Sequence, residues 1–300
     1  MSVYSDNARR LYAESEKKRD RNARIPEGIS IYADIPYGSR GDHPQWQLLD
    51  VYRPDGDCEK KYPVILNIHG GGWVQGEKEG YRFYCMSFVR YGACVINFSY
   101  RLAPEYPFPA PLEDISQVLD WVHENREKYG FDTDRIYGIG DSAGGNILSL
   151  YAALDTNPVS AAEYPFMTAD LHFRAIALNC PVFRIPPVSE MNRTMIYHMN
   201  DYVGTQITDD TVRKLNAAEY MTSAFPPVFL MTTAKDAARE SPDYAINAFR
   251  EHGIRYEFRL YGTAAYPLGH VFHLDTSVPE SSECSREEFE FFAKVGGQNE

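Results

Sequence analysis

Short apolar runs closed by glycine, proline or polar residues alternate along this chain with stretches whose apolar positions recur at helical spacing. The runs at residues 64–68, 93–98, 135–139, 175–178 and 228–231 are nearly continuous in apolar character, which predicts strands buried on both faces. Residues 256–261 close the series. Between them, Leu112, Ile115, Leu119 and Val122 form one apolar stripe, and Ile147, Tyr151 and Leu154 another, so each marks a helix laid against a sheet. Further helices are expected over residues 6–24, 79–91, 239–252 and 285–295. Residues 29–37 and 46–52 read instead as an antiparallel strand pair, the second ending in the turn signal Arg53-Pro54-Asp55-Gly56. Strands and helices alternating in this order predict an α/β fold, a mostly parallel sheet covered on both faces. Three hundred residues suit one such domain with a modest insertion. That insertion is residues 184–224, rich in Met, Asn, Tyr and Thr and without strand pattern. Together with residues 1–28 it is expected to form a small cap.

In a parallel sheet, chemistry collects beyond the carboxyl ends of the strands. The run at residues 135–139 leads into Gly140-Asp141-Ser142-Ala143-Gly144-Gly145, with Gly140, Ser142 and Gly144 in the pattern G-x-S-x-G and a helical run following. A serine at the tip of a strained strand-to-helix turn needs neighbours without side chains. Its hydroxyl then stands at a helix head, where free N–H groups favour developing negative charge. Residues 64–68 lead into His69-Gly70-Gly71-Gly72-Trp73. Three consecutive glycines cost backbone entropy, and close approach of the main chain to a ligand explains them. Beyond 228–231, Asp236 is the first choice for an acid that orients a base, and Asp243 is a rival set further into the next helix. Beyond 256–261, His270 follows a glycine and precedes Val271-Phe272, which can anchor its loop; His273 is its rival. The order Ser, Asp, His is that of α/β-hydrolases. His43, His123, His172, His198 and His252 fall on helices or outer segments and are expected to be structural or solvent-facing.

Composition narrows the partners more than the chemistry. A formal net charge of −12 argues against nucleic acid and anionic membrane surfaces. No apolar run approaches the ~20 residues of a membrane span, and residues 1–24 carry no apolar secretory core. The five cysteines are scattered, and Cys85, Cys94 and Cys180 sit among apolar neighbours, which predicts reduced thiols and a cytoplasmic location. With 22 Tyr and 16 Phe the chain has aromatics for a pocket as well as a core. Trp73, Tyr100, Phe183, Met195, Tyr197, His198 and Tyr202 are the candidates for its walls, and the basic cluster Lys17, Lys18, Arg19 and Arg21 reads as a solvated helix face.

Three motifs in order, His69-Gly70-Gly71-Gly72-Trp73, Tyr100-Arg101-Leu102-Ala103-Pro104-Glu105 and Gly140-Asp141-Ser142-Ala143-Gly144-Gly145-Asn146, resemble the hormone-sensitive-lipase family of carboxylesterases. The similarity runs from about residue 46 to residue 270. It implies an α/β-hydrolase fold, no metal and no cofactor, and cleavage of a small-molecule carboxylic ester. It also implies Ser142 as nucleophile, Asp236 as orienting acid, His270 as base, and the N–H groups of Gly71, Gly72 and Ala143 as oxyanion donors. Short acyl groups of the acetyl type are the expected substrates. Two other readings stay open: an amidase or arylformamidase on the same machinery, and a non-catalytic binding protein that keeps the pocket. The resemblance also allows a homodimer through the edge strand at residues 256–261.

Overall fold

The computed structural model describes residues 3, 5–7, 9–10, 19–39, 45–166, 168–236, 238 and 241–297. Its strands are β1 (Ile29–Pro36), β2 (Leu48–Pro54), β3 (Tyr62–Ile68), β4 (Cys94–Ser99), β5 (Phe131–Asp141), β6 (Ala175–Asn179), β7 (Val228–Thr233) and β8 (Tyr256–Tyr261). They form one sheet in the order β1-β2-β4-β3-β5-β6-β7-β8. As the turn signals predict, β1 and β2 pair antiparallel, and β2 is also antiparallel to β4. Every other neighbouring pair is parallel. Strands β3, β4, β6 and β7 are buried at every position, which is why their sequences run apolar without alternation.

The principal helices are α1 (Arg82–Ser87), α2 (Ala110–Glu124), α3 (Ser142–Asp155), α4 (Arg193–Val203), α5 (Asp209–Leu215), α6 (Ser241–Glu251) and α7 (Pro279–Val295). They cover both faces of the sheet. Along β3, Val64, Leu66 and Ile68 pack with Leu112, Ile115 and Ile147, while Ile65 packs on the other side with Met86, Phe291 and Phe292. Helix α3 is buried along almost its whole length, because it lies between the sheet and residues 184–224. There Asn146 Nδ2 donates to Leu215 O at 2.9 Å.

Three elements differ from the expected pattern. Residues 79–91 are not one helix but a 3-10 turn, the short α1 and a second 3-10 turn. The first residue of the first turn, Lys78, is only 3% exposed, with its ammonium held by Asp34, Asp50 and Glu79 at 2.8, 2.9 and 2.6 Å. That anchor fixes where the segment starts, and Gly92 at φ 86° ends it. Helix α7 starts at Pro279 rather than residue 285, since proline at a first helical position loses no hydrogen bond. Of the helix expected over residues 6–24, Asp6, Asn7, Arg9 and Arg10 are helical and Asp20–Asn22 form a 3-10 turn, while residues 8 and 11–18, with Lys17 and Lys18, lie outside the described residues, as does His43. Residues 184–224 carry α4, α5 and short turns without a strand. Cys85, Cys94 and Cys180 are buried and reduced, and so is Cys284, whose amphipathic helix hid its burial. Among the described residues, no helix is long and apolar enough to cross a membrane.

Candidate active site

Strand β5 ends at Asp141 and α3 begins at Ser142, which adopts the left-handed conformation at φ 49°. A serine held there is strained, and the surrounding packing must impose it. The glycines show how. A Cβ at Gly144 would lie 2.1 Å from Ile68 O, and one at Gly140 would lie 2.6 Å from Gly144 O. The elbow therefore presses directly on the main chain at the end of β3.

Asp141 occupies the position from which an aspartate usually caps a helix, yet its side chain makes no cap bond. The carboxylate is turned across to the glycine loop instead, accepting from Gly70 N at 3.0 Å and from Tyr81 Oη at 3.0 Å. Gly70 N also donates to Tyr81 Oη at 2.8 Å. Burial raises the Asp141 carboxyl to about 6, against the opposing pull of Tyr81, His270 and Gly70. The consequence is geometric: the first-turn N–H groups of α3, including that of Ala143, are not consumed by a cap.

From the ends of β7 and β8 come the two partners of Ser142. His270 Nε2 accepts from Ser142 Oγ at 3.0 Å, and His270 Nδ1 donates to Asp236 Oδ1 at 2.6 Å. The tautomer follows from the partners, since a carboxylate can only accept. Asp236 is itself fixed, taking Thr232 Oγ1 at 2.6 Å on Oδ2 and Ala238 N at 2.9 Å on Oδ1. Burial would raise its carboxyl, but the bonds from His270, Thr232 and Ala238 bring it down to about 2. The imidazole reaches its place because Val271 takes φ 52° and the Phe272 ring packs on Tyr261 with centroids 5.2 Å apart. His273 points elsewhere. It has no exposed surface, neither ring nitrogen has a partner among the described residues, and burial lowers its pKa to about 3. Asp243 is exposed on α6.

The glycine loop faces the elbow. Gly71, Gly72 and Trp73 all take positive φ, at 119°, 58° and 65°. A Cβ at Gly71 would fall 2.1 Å from Gln75 O. Among the described residues, no hydrogen bond takes the Gly71 or Gly72 N–H, while their carbonyls are occupied: Gly71 O by Gln75 N at 3.2 Å and Gly72 O by His198 Nε2 at 2.6 Å. Behind the loop, the His69 ring stacks on Tyr100 at 4.0 Å and its Nδ1 donates to Gly70 O at 2.7 Å. Burial lowers the His69 pKa to about 4, so this ring is neutral. Arg9 braces the outer side, donating to Val74 O at 2.6 Å and Ala103 O at 2.9 Å. Tyr81 and Arg9 were not among the sequence candidates, because nothing local marks a residue whose partner is in a distant loop.

The expected pocket walls separate into two groups. Tyr100 and Tyr202 have 0% and 1% exposure and present no surface to a ligand. Tyr100 donates to His69 O at 2.9 Å, and Tyr202 stacks under Trp73 at 5.1 Å, so both hold the loop rather than line a pocket. Phe183 and Trp73 are also buried, the latter with its indole Nε1 donating to Asn146 Oδ1 at 3.1 Å. His198 stays partly open beside Gly72, and burial lowers its pKa. Tyr197 is exposed on α4, where Arg193 donates to its hydroxyl.

A parallel sheet with an antiparallel first pair, and Ser, Asp and His brought together from the ends of β5, β7 and β8, is an α/β-hydrolase fold. The chain belongs to the BD-FAE family, whose model matches residues 49–241. Two relatives from Mycobacterium tuberculosis are similar to it. Esterase LipQ is 30% identical over 209 residues, 68% of this chain and 48% of LipQ. Carboxylesterase NlhH is 32% identical over 187 residues, 59% of this chain and 57% of NlhH. The chain thus spans about half the length of these relatives. Esterase B from Lactobacillus rhamnosis superposes with a TM-score of 0.87 at 26% identity, over 98% of this chain and 94% of that one. The same enzyme has been solved inhibited by a tributyrin phosphonate. The resemblance carried by the three motifs is borne out at the level of family and fold.

Proposed function

We propose that this chain is a serine carboxylesterase for short-chain, acetyl-type esters of small alcohols, working through an acyl-enzyme. The carrying observation is the continuous hydrogen-bonded line Ser142 Oγ, His270, Asp236 at 3.0 and 2.6 Å. His270 Nε2 takes the hydroxyl proton as Oγ attacks the ester carbonyl, and Asp236 holds the Nδ1–H tautomer and stabilises the cation that forms. The carbonyl oxygen becomes an oxyanion between the N–H groups of Gly71, Gly72 and Ala143, each worth on the order of 3 kcal/mol in comparable sites. His270 then protonates the departing alcohol, and water repeats the route to release the acid. No metal or cofactor enters this scheme. The names of LipQ and NlhH and the phosphonate complex of esterase B favour ester cleavage. Crowding beside the oxyanion loop, where His198 Nε2 would sit 3.1 Å from a Cβ at Gly72, favours a short acyl group.

The test is hydrolysis of p-nitrophenyl acetate, butyrate and octanoate by the native protein and Ser142→Ala. Turnover highest on the short esters, and lost in the variant, is expected; equal turnover in the variant refutes the nucleophile. Faster cleavage of an N-formyl-arylamine than of the acetate would move the reading to an arylformamidase. Failure of a fluorophosphonate to label Ser142 would move it to a binding protein.

A further inference from the structure

Behind the acid of the site lies a thiol that the reaction does not use. Cys180 directly follows β6, and it is held in the left-handed conformation at φ 46° with no exposed surface. Its N–H donates to Met231 O at 2.8 Å, and two residues on Val182 N donates to Ser142 O at 2.9 Å. The thiol is thereby fixed between the elbow and β7. Its Sγ, a carboxylate oxygen of Asp236 and a ring nitrogen of His270 all lie within 4.8 Å of one another. Among the described residues, no other group of three such side chains gathers in this way.

We propose that Cys180, Asp236 and His270 form an inhibitory site for a thiophilic divalent cation of the zinc and cadmium type. The donor set is one thiolate, one imidazole and one carboxylate, which suits a borderline-soft ion, with water in the fourth position. Zinc bonds of about 2.3 Å to sulfur and 2.0–2.2 Å to nitrogen and oxygen place tetrahedral ligand atoms roughly 3.3–3.7 Å apart. To meet that geometry the Nδ1–Oδ1 pair, 2.6 Å apart, must open by about 0.7 Å, and Sγ, within 4.8 Å, must approach by up to about an ångström. His270 Nδ1 already points at Asp236, so the ion takes the place of the proton between them. Binding releases one proton, from the Cys180 thiol; the Nδ1 proton moves to Nε2, and the cation is left bound to thiolate, carboxylate and the Nδ1 lone pair.

The effect on chemistry follows from the tautomer. A neutral imidazole that gives its Nδ1 lone pair to a metal carries its one proton on Nε2. Nε2 then cannot accept the Ser142 proton, and the serine loses its base. This loss of turnover rests on the proposed role of His270, whereas binding of the ion does not.

The experiment compares the native protein with Cys180→Ala, Cys180→Ser and, as a control, Cys58→Ala, which removes a partly exposed thiol remote from β6. Cobalt(II) is titrated into each and followed by thiolate-to-cobalt charge-transfer absorption, and zinc chloride is added to each during p-nitrophenyl acetate hydrolysis. The native protein and Cys58→Ala are expected to develop the thiolate band at one equivalent. Both should lose kcat roughly tenfold or more with little change in KM, and recover with EDTA. Both Cys180 variants should lack the band and need at least about tenfold more zinc. A missing band in the native protein overturns the site, as does a band that persists without Cys180 or zinc sensitivity that follows Cys58. If the native protein cleaves no ester, the cobalt band alone decides, so failure of the site and failure of the esterase reading are told apart.

Discussion

Replacing Asp236 by asparagine separates two roles that a carboxylate beside a histidine usually fills together. In serine hydrolases of other folds the asparagine variant costs about 10⁴ in kcat, because the amide N–H₂ faces the imidazole and imposes the wrong tautomer. Here the local bonds argue for a different outcome. The oxygen that accepts from His270 is the one that also accepts from Ala238 N, a group that can only donate. The other oxygen faces Thr232 Oγ1, a hydroxyl that can turn round and accept. The amide should therefore seat its oxygen towards His270 and its N–H₂ towards Thr232, so that the Nδ1–H tautomer survives and only the charge is lost. Asp236 has no exposed side-chain surface and His270 has 23%, so an effective dielectric near 20 applies. A charge pair about 4 Å apart is then worth at most about 4 kcal/mol, and exchanging a charged for a neutral acceptor costs at least about 1 kcal/mol. A loss of roughly 5- to 1000-fold in kcat is expected. Adding Thr232→Val removes the acceptor that seats the amide, and kcat should drop at least about another tenfold as the wrong tautomer takes over. The assay is kcat and KM for p-nitrophenyl acetate in the single and double variants. A single-variant loss near 10⁴, unchanged by Thr232→Val, would refute the reasoning.

Tyr81→Phe removes the hydroxyl joining Asp141 to Gly70 N, and should lower kcat several-fold with KM unchanged; a change confined to KM would show that the bridge does not order the loop. Glu288, fully buried on α7 and accepting from Tyr84 Oη and Asn179 Nδ2, is raised by burial to about 8. Because its folded pKa exceeds the unfolded value, its contribution is most favourable below about 4.5 and is lost as pH rises through 8. Glu288→Gln should therefore gain on the native protein in Tm between pH 5 and 9, and a pH-independent difference between the two would sink the argument. We place any self-association at the free edge of β8, where Phe258 and Leu260 are 36% and 58% exposed. Leu260→Arg is then expected to turn a dimer into a monomer in sedimentation, and a variant that sediments as the native dimer would rule that edge out.

What was legible in the sequence was what short-range pattern encodes. Continuous apolar runs marked β3 to β7, and the polar or glycine residues just past their ends marked Ser142, Asp236, His270 and the loop at Gly71 and Gly72. A parallel sheet gathers those ends along one edge, so four separate local signals converge on one place. The choice of His270 over His273 turned on anchoring by Val271-Phe272, and the structure places His273 in the core beside Tyr84, with ring centroids 4.8 Å apart. Residues whose meaning depends on a distant partner stayed hidden. Lys78 reads as a surface lysine until Asp34 and Asp50 close on it, and Asp141 reads as a helix cap until the loop carrying Gly70 arrives. Aromatic residues were misread for a related reason: Tyr100 and Tyr202 have the chemistry of a pocket wall, but contact with His69 and Trp73 removes them from solvent.

The line from Ser142 to His270 spans 128 positions, and the bonds from Glu288 to Asn179 and Tyr84 span 109 and 204. Translation is vectorial, so the strained elbow is made long before His270 and before the carboxylate that accepts from Asn179 Nδ2 and Tyr84 Oη. A nascent chain carrying the serine alone has an ordinary alcohol on an unfinished sheet. The line from Ser142 to Asp236 is completed only when the last strand and the loop after it dock.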